Sequence, residues 1–416
     1  MVINKTNQFL AFLIIAFFII GCTPLLNNGY LYVVLCIFFL PFIFSNYHTE
    51  TARSRVLVVT LLLFIAQNVL YKIFGYSTAL WGRYPGYLLS FAPLFLMLQI
   101  DQDISFKYKK RLFWIVVVLM VVNILDSIRI SILYPYIDVD SVRDYKDFVS
   151  TINLGGSSFY TCSMFFSSIC YMICLNTKQR SLRLAMLFCV LLTGFYLLFY
   201  ASKASVVVYF FLSLILITIA KFTKKRVYFF VILYISIFLI VPLIEVYQNQ
   251  IISYIVNISP SARLSVRLVA LIDADSIYAS TSSIDGREDF WMLSVRTWLS
   301  DVSNFFFGIG DHYTSDNPEM TGIGQHSDLL DSLARYGLIG LILIYYIYKS
   351  SFKYLSSLYD KKIRLQVLTI LLIYLLCGIT KKIFLTNIGC MVFLFLPLAL
   401  VYLNNNDSRN KQIKRL

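Results

Sequence analysis

The feature that most limits what this chain can become is its set of long apolar blocks without charge. From Val227 to Ile244 there is no charged side chain, and Leu10–Gly21 and Val56–Ala66 read the same way. A helix needs about 20 mostly apolar residues to cross roughly 30 Å of hydrocarbon. In lipid every backbone N–H and C=O must be satisfied within its own segment, so blocks of this kind have to be helices. A transmembrane β-barrel would alternate apolar and polar residues along strands of about ten residues, and the chain shows no such alternation.

Twelve blocks fit this description, at 8–24, 30–46, 55–74, 84–100, 111–127, 153–175, 183–200, 204–221, 227–244, 329–348, 364–380 and 383–403. The last two form a hairpin separated only by Lys381-Lys382. Composition agrees: 59% of the 416 residues are hydrophobic and 14% are charged, against about 25% charged in a typical soluble domain. The expectation is an all-α polytopic membrane protein, one integral domain over 1–416. Ile19-Ile20-Gly21-Cys22 resembles a lipoprotein cleavage box, but with further spans behind it the first block reads as an uncleaved helix. The eight cysteines lie in or beside apolar blocks without CxxC or histidine spacing. They imply neither a disulfide framework nor a zinc site.

A formal charge of +14 invites a nucleic-acid reading, and the distribution of charge removes it. Lys and Arg concentrate in alternate loops: Arg53 and Arg55, then Lys107–Arg111, Lys178–Arg183, Lys221–Arg226, Lys349–Arg364 and Arg409–Arg415. Few acids accompany them. Alternation of this kind is the positive-inside signature and expects both termini in the cytoplasm. The opposite side then carries the two long hydrophilic segments, 127–152 and 245–328. Loops of such length are usually functional or disordered. The second is rich in aromatics and is expected to be partly helical, folded against the membrane surface between spans nine and ten.

Three places in the chain have side chains suited to chemistry. Asp285-Gly286-Arg287-Glu288-Asp289-Phe290-Trp291 looks like a turn opening a helix, with acids in the first turn. Arg287 would sit beside free backbone N–H groups, a good place for an anion; the other reading is local pairing with Asp285, Glu288 or Asp289. Next, Gly322-Ile323-Gly324-Gln325-His326-Ser327-Asp328 leads into a helix through Gly340. Ser327 is the expected N-cap and Asp328 suits the helix start. Asp331 and Arg335, at i, i+4, read as a structural pair, and Gly337 and Gly340 as sites of close helix packing. His326 stands at the mouth of this helix, either as a general base or anion ligand or as an ordinary surface histidine. Finally, Ser202-Lys203-Ala204 places a charge in a very short connection, to hold an anion or to snorkel. Arg263 and Arg267, at i, i+4, offer a possible second anion clamp.

Taken together, Ser202-Lys203-Ala204, Gly286-Arg287 with Trp291, and His326-Ser327-Asp328-Leu329-Leu330 with Gly337 and Gly340 resemble the O-antigen polymerase and O-antigen ligase superfamily. Motif likeness is confined to roughly 202–340, and the chain departs at Lys203, where the family usually has Arg. Lys keeps the charge and loses the bidentate fork. The resemblance implies a GT-C-like membrane architecture of about twelve helices. It also implies metal-independent, cofactor-free glycosyl transfer outside the bacterial inner membrane, from a glycan on undecaprenyl pyrophosphate. On that pattern His326 and Arg287 are catalytic. Lys203 and Arg287 hold the pyrophosphate, with Arg263 and Arg267 added from their spacing as a second clamp on it, and Trp291 and Trp298 contact sugars. Expected partners are the lipid-linked oligosaccharide, membrane lipids and a chain-length regulator protein. His326-Ser327-Asp328 followed by Asp331 is more similar to polymerases than to ligases. A lipid-linked oligosaccharide flippase is the reading from another class; it would call for matched repeats with polar residues at the bilayer midplane, which the sequence lacks. A metal-dependent membrane glycosyltransferase would call for a carboxylate in the first external loop, and Cys22–Tyr30 has none.

Overall fold

A computed structural model describes residues 5–23, 34–35, 37–38, 52–74, 91–97, 104–134, 156–201, 204–223, 285–310, 322–324, 327–380, 383–384 and 386–403. Most of the described residues are helical, and no strand occurs among them. The helices are α1 (Lys5–Cys22), α2 (Ala52–Ile73), α3 (Phe106–Leu133), α4 (Ser157–Asn176), α5 (Arg180–Phe199), α6 (Ala204–Phe222), α7 (Asp285–Leu299), α8 (Val302–Phe307), α9 (Asp328–Ser357) and α10 (Lys361–Thr380). The last, α11, runs from Thr386 to Leu403 with a π-helical stretch, Cys390–Phe395, in its middle.

Seven of these helices are long and apolar enough to cross a membrane, and Phe9–Cys22 and Asn387–Leu403 are shorter apolar helices. The chain is therefore an all-α polytopic membrane protein. Nine of the expected blocks reappear as these helices. Of 30–46 and 84–100, only short helical pieces are described, with 91–97 buried. The expected span 227–244 lies outside the described residues.

The hub of the bundle is α4, 78% buried over its membrane window where α6 is 33% buried. Its serines explain how it can sit there. Small side chains let neighbours approach closely in lipid, and hydroxyls can bond across helices. Ser168 Oγ lies 2.8 Å from Ser213 Oγ of α6, and Tyr171 Oη 2.8 Å from Thr218 Oγ1. The α1 helix contributes Phe17 and Phe18 to the same core, and Cys22 is fully buried. The seven described cysteines are free thiols, as expected.

Helix ends sort into two groups. At one end Lys221 Nζ donates to Asn176 Oδ1 (2.5 Å), Asn176 Nδ2 donates to Gln366 Oε1 (2.7 Å), and Lys110 Nζ lies 5.7 Å from the Tyr402 ring centroid. At the other, Asn123 Nδ2 donates to Thr23 Oγ1 (3.3 Å), Tyr209 Oη lies 3.0 Å from Thr380 Oγ1, and Ser327 Oγ donates to the Gly378 carbonyl (3.2 Å). The described neighbours α9 and α10, and α10 and α11, thus run in opposite directions. The basic connections collect at the first end, and α7, α8 and the start of α9 collect at the second.

One expectation is corrected. The sequence reads α9 as an unbroken span in which Gly337 allows close packing. Instead Gly337 has φ 61° and ψ −167°, and the helix kinks there. The carbonyls just before the break accept from outside the helix. Ala334 O takes the Ile309 N–H and Arg335 O the Gly310 N–H, both at 2.9 Å, while Tyr336 O takes Gln67 Nε2 at 3.0 Å. Broken backbone survives at membrane depth only when neighbours satisfy the groups it frees. The turn that does so is itself built on glycine: a Cβ at Gly308 would stand 2.4 Å from Arg335 C, and one at Gly337 2.4 Å from Phe306 C.

Candidate active site

The α7 helix begins at Asp285, so Gly286 and Arg287 lie in its first turn, as the sequence suggests. One face of α7 meets the chain that approaches α9. Ser294 Oγ accepts from the Gly324 N–H (2.9 Å) and donates to Asp331 Oδ1 (2.8 Å). Gly324 lies directly on α7: a Cβ there would be 2.0 Å from the Phe290 carbonyl oxygen. Any other residue would push the approach loop off the helix.

The next fixed point is Ser327. Its Oγ accepts from the Leu330 N–H at 3.2 Å, the N-cap expected from sequence, and bonds the Gly378 carbonyl of α10. Asp328 has a partner that sequence reading does not find. Its buried carboxylate accepts from the Phe384 N–H (2.6 Å) and from the Ile383 N–H, in the turn between α10 and α11. Charge-assisted bonds of this type are among the stronger ones in proteins. The expected helical role of Asp331 is also extended, since its carboxylate is buried against Ser294 of α7.

The structure therefore brings together the helix that starts with Gly286-Arg287 and the chain segments on either side of His326. Phe290 and Ser294 of α7 hold Gly324, while α10 and the 383–384 turn hold Ser327 and Asp328. Lys203, Arg263, Arg267 and His326 themselves lie outside the described residues, and of Arg287 only the backbone is described.

The two tryptophans differ. Trp298 Nε1 donates to the Phe305 carbonyl (3.0 Å), and its ring stacks on Phe305 with centroids 4.9 Å apart and planes at 19°. It fastens α8 to α7. Trp291 Nε1 is buried with no hydrogen-bond partner among the described residues.

Beneath these elements lies a support that the sequence reading passed over. Gln67 and Tyr71 stand one turn apart in α2. Gln67 donates to Tyr71 Oη (2.6 Å) as well as to Tyr336 O, and Tyr71 Oη donates to the Phe307 carbonyl. The signal was present as Gln67 and Tyr71 at i, i+4, beside Asn68, inside a mostly apolar span, which is costly unless such groups have partners.

Residues 187–345 match the family model described as O-antigen ligase. The chain is similar to that family over this stretch, which is less than half of its 416 residues. The match takes in most of α5, all of α6, α7 and α8, and the outer part of α9. It thus spans every element that carries the three motifs. No curated protein matches the chain significantly. The match begins on α5 and ends within α9, enclosing the turn at Gly308 and the kink at Gly337.

Proposed function

We propose that the chain is an O-antigen polymerase of lipopolysaccharide biosynthesis, joining undecaprenyl-pyrophosphate-linked repeats at the outer face of the bacterial inner membrane. The observation that carries this reading is the docking of α7 against the residues flanking His326, at the bundle end opposite the basic connections. Both termini then face the cytoplasm, and the lipid pyrophosphate arrives from the outer leaflet.

In this reading Arg287 and Lys203 hold the pyrophosphate and offset the charge that develops as it leaves, with Arg263 and Arg267 as a second clamp. His326 orients or deprotonates the acceptor hydroxyl of the next repeat. Trp291 is the better-placed sugar contact, because Trp298 already has one ring face and its N–H occupied. The reaction runs without metal or cofactor, and a chain-length regulator is a natural partner.

The family description itself favours a second reading, an O-antigen ligase that transfers the glycan to lipid A–core. A deletion strain complemented with wild type, Arg287→Ala or His326→Ala distinguishes the two on a lipopolysaccharide gel. Loss of the ladder with one repeat still on the core means polymerase. Loss of every repeat means ligase. A full ladder from both variants, with normal membrane insertion, refutes the site assignment.

A further inference from the structure

Helix α8 has no described protein partner over one of its faces. Val302 and Phe306, one turn apart, are 75% and 42% exposed, and neighbouring Leu299 is 57% exposed. On the opposite side Asn304 bonds Ser300 and Asp301, so the polar groups cluster away from that face. A lone exposed leucine or valine would need no explanation. Here Val302 and Phe306 share one side of the helix, Ser303 and Asn304 lie round from them, and Phe307, 48% exposed, adds to the apolar surface at its end.

The level at which α8 sits identifies what covers it. The Gly308–Gly310 turn that ends α8 pairs with α9 at Ala334 and Arg335, against the Gly337 kink. Asp328, Asp331 and Arg335 lie outside that kink, and the next charged residue inward is Lys349. The kink is thus where α9 stops carrying charge and enters hydrocarbon. The neighbouring span gives the same level independently. Tyr71, which bonds Phe307 O, is close to the end of α2, where Ile73 and the following Phe74 are 64% and 70% exposed. The lipid-facing side of α2 therefore continues to the level of α8.

We infer that α8 is an interfacial anchor, with Val302, Phe306 and Leu299 set among the lipid acyl chains at the edge of the leaflet on the α7 side. An apolar helix face lying in the interface plane is a recognised mode of membrane attachment. The anchor holds α7, stapled to α8 through Trp298 and Phe305, at headgroup depth. It does not depend on which reaction the chain performs.

The test uses the full-length protein in nanodiscs of phosphatidylethanolamine and phosphatidylglycerol. Spin labels are placed on Val302→Cys, Phe306→Cys and, as the water-facing control, Ser300→Cys, with wild type labelled in parallel to measure the background from native cysteines. Relaxation by oxygen, which partitions into lipid, is compared with relaxation by a water-soluble nickel chelate. The expected result is an oxygen-to-nickel ratio severalfold higher at 302 and 306 than at 300. Equal ratios at the three positions would overturn the anchor. A label at 302 shielded from both reagents would also overturn it, since protein rather than lipid would then cover the face.

Discussion

Replacing Gly337 by Ala tests the join between the bundle and its outer elements. At φ 61° and ψ −167° the residue occupies a region almost reserved for glycine, and a side chain there costs about 1–3 kcal/mol. The added methyl would stand 2.4 Å from Phe306 C and 2.5 Å from Phe306 O. Forcing a methyl into packed surroundings costs about 1–3 kcal/mol more. If α9 instead straightens, the bonds from Ile309 N to Ala334 O and from Gly310 N to Arg335 O are lost, at about 1 kcal/mol each. Either route destabilises by roughly 2 kcal/mol or more. The assay is retention of the monodisperse size-exclusion peak after heating in detergent, with the gel ladder as the activity readout. Gly337→Ala is expected to lower the midpoint by several degrees and to lose the ladder. Gly194→Ala is the control, because its methyl would meet only the Phe210 ring edge at 3.2 Å, and a helical Gly to Ala change gains up to about 1 kcal/mol. A Gly337→Ala protein with the melting and ladder of wild type would refute the argument that the kink holds the outer elements in place.

Ser294→Ala removes one donor and one acceptor, leaving Asp331 Oδ1 and the Gly324 N–H without that partner. A cost of about 1–3 kcal/mol is expected, with shortened or absent ladder; Ser294→Thr, which keeps the hydroxyl, should do better, and equal activity in both would make the contact incidental. Asp328→Ala strips two backbone N–H groups of a charged acceptor. It should lower the detergent melting midpoint more than Asp328→Asn, which retains one acceptor oxygen; identical midpoints would count against the anchoring role. Lys203→Arg should keep the ladder and Lys203→Ala should weaken it, and wild-type ladders from both would leave Lys203 without a part in the reaction.

The spans were readable because their signal is local: charge spacing alone marks where a helix can enter lipid. The N-cap at Ser327 and the helix start around Arg287 were readable for the same reason, since capping and dipole preferences act within one turn. What escaped was set by residues distant in sequence. Asp328 looked like a helix-start acid, yet its carboxylate serves amides 55 and 56 residues further on. Ser294 is an unremarkable serine until Gly324 and Asp331 arrive on either side of it. Gly337 read as a packing glycine because a small residue in a membrane helix serves packing or breaking equally well. Its function depends on Gly308 lying against it, a contact no periodicity reveals.

The break in α9 also explains why the motif-bearing elements can stand where they do. An unbroken α9 would have satisfied its own carbonyls and offered α8 no hydrogen-bonding seat. With the break, Ala334 and Arg335 turn their carbonyls to the 308–310 turn, and Gln67 and Tyr71 of α2 secure Tyr336 and Phe307. The outer segment of α9 can then leave the direction of its inner half and meet α7 through Asp331 and Ser294. Each of these contacts is polar and sits where charge ends along α9, at a depth where an unpaired backbone group is expensive. The elements carrying Arg287 and the flanks of His326 are thus held to the bundle beside the kink, which the inference above sets at the level of the lipid headgroups. A lipid-linked phosphate would arrive at that same depth.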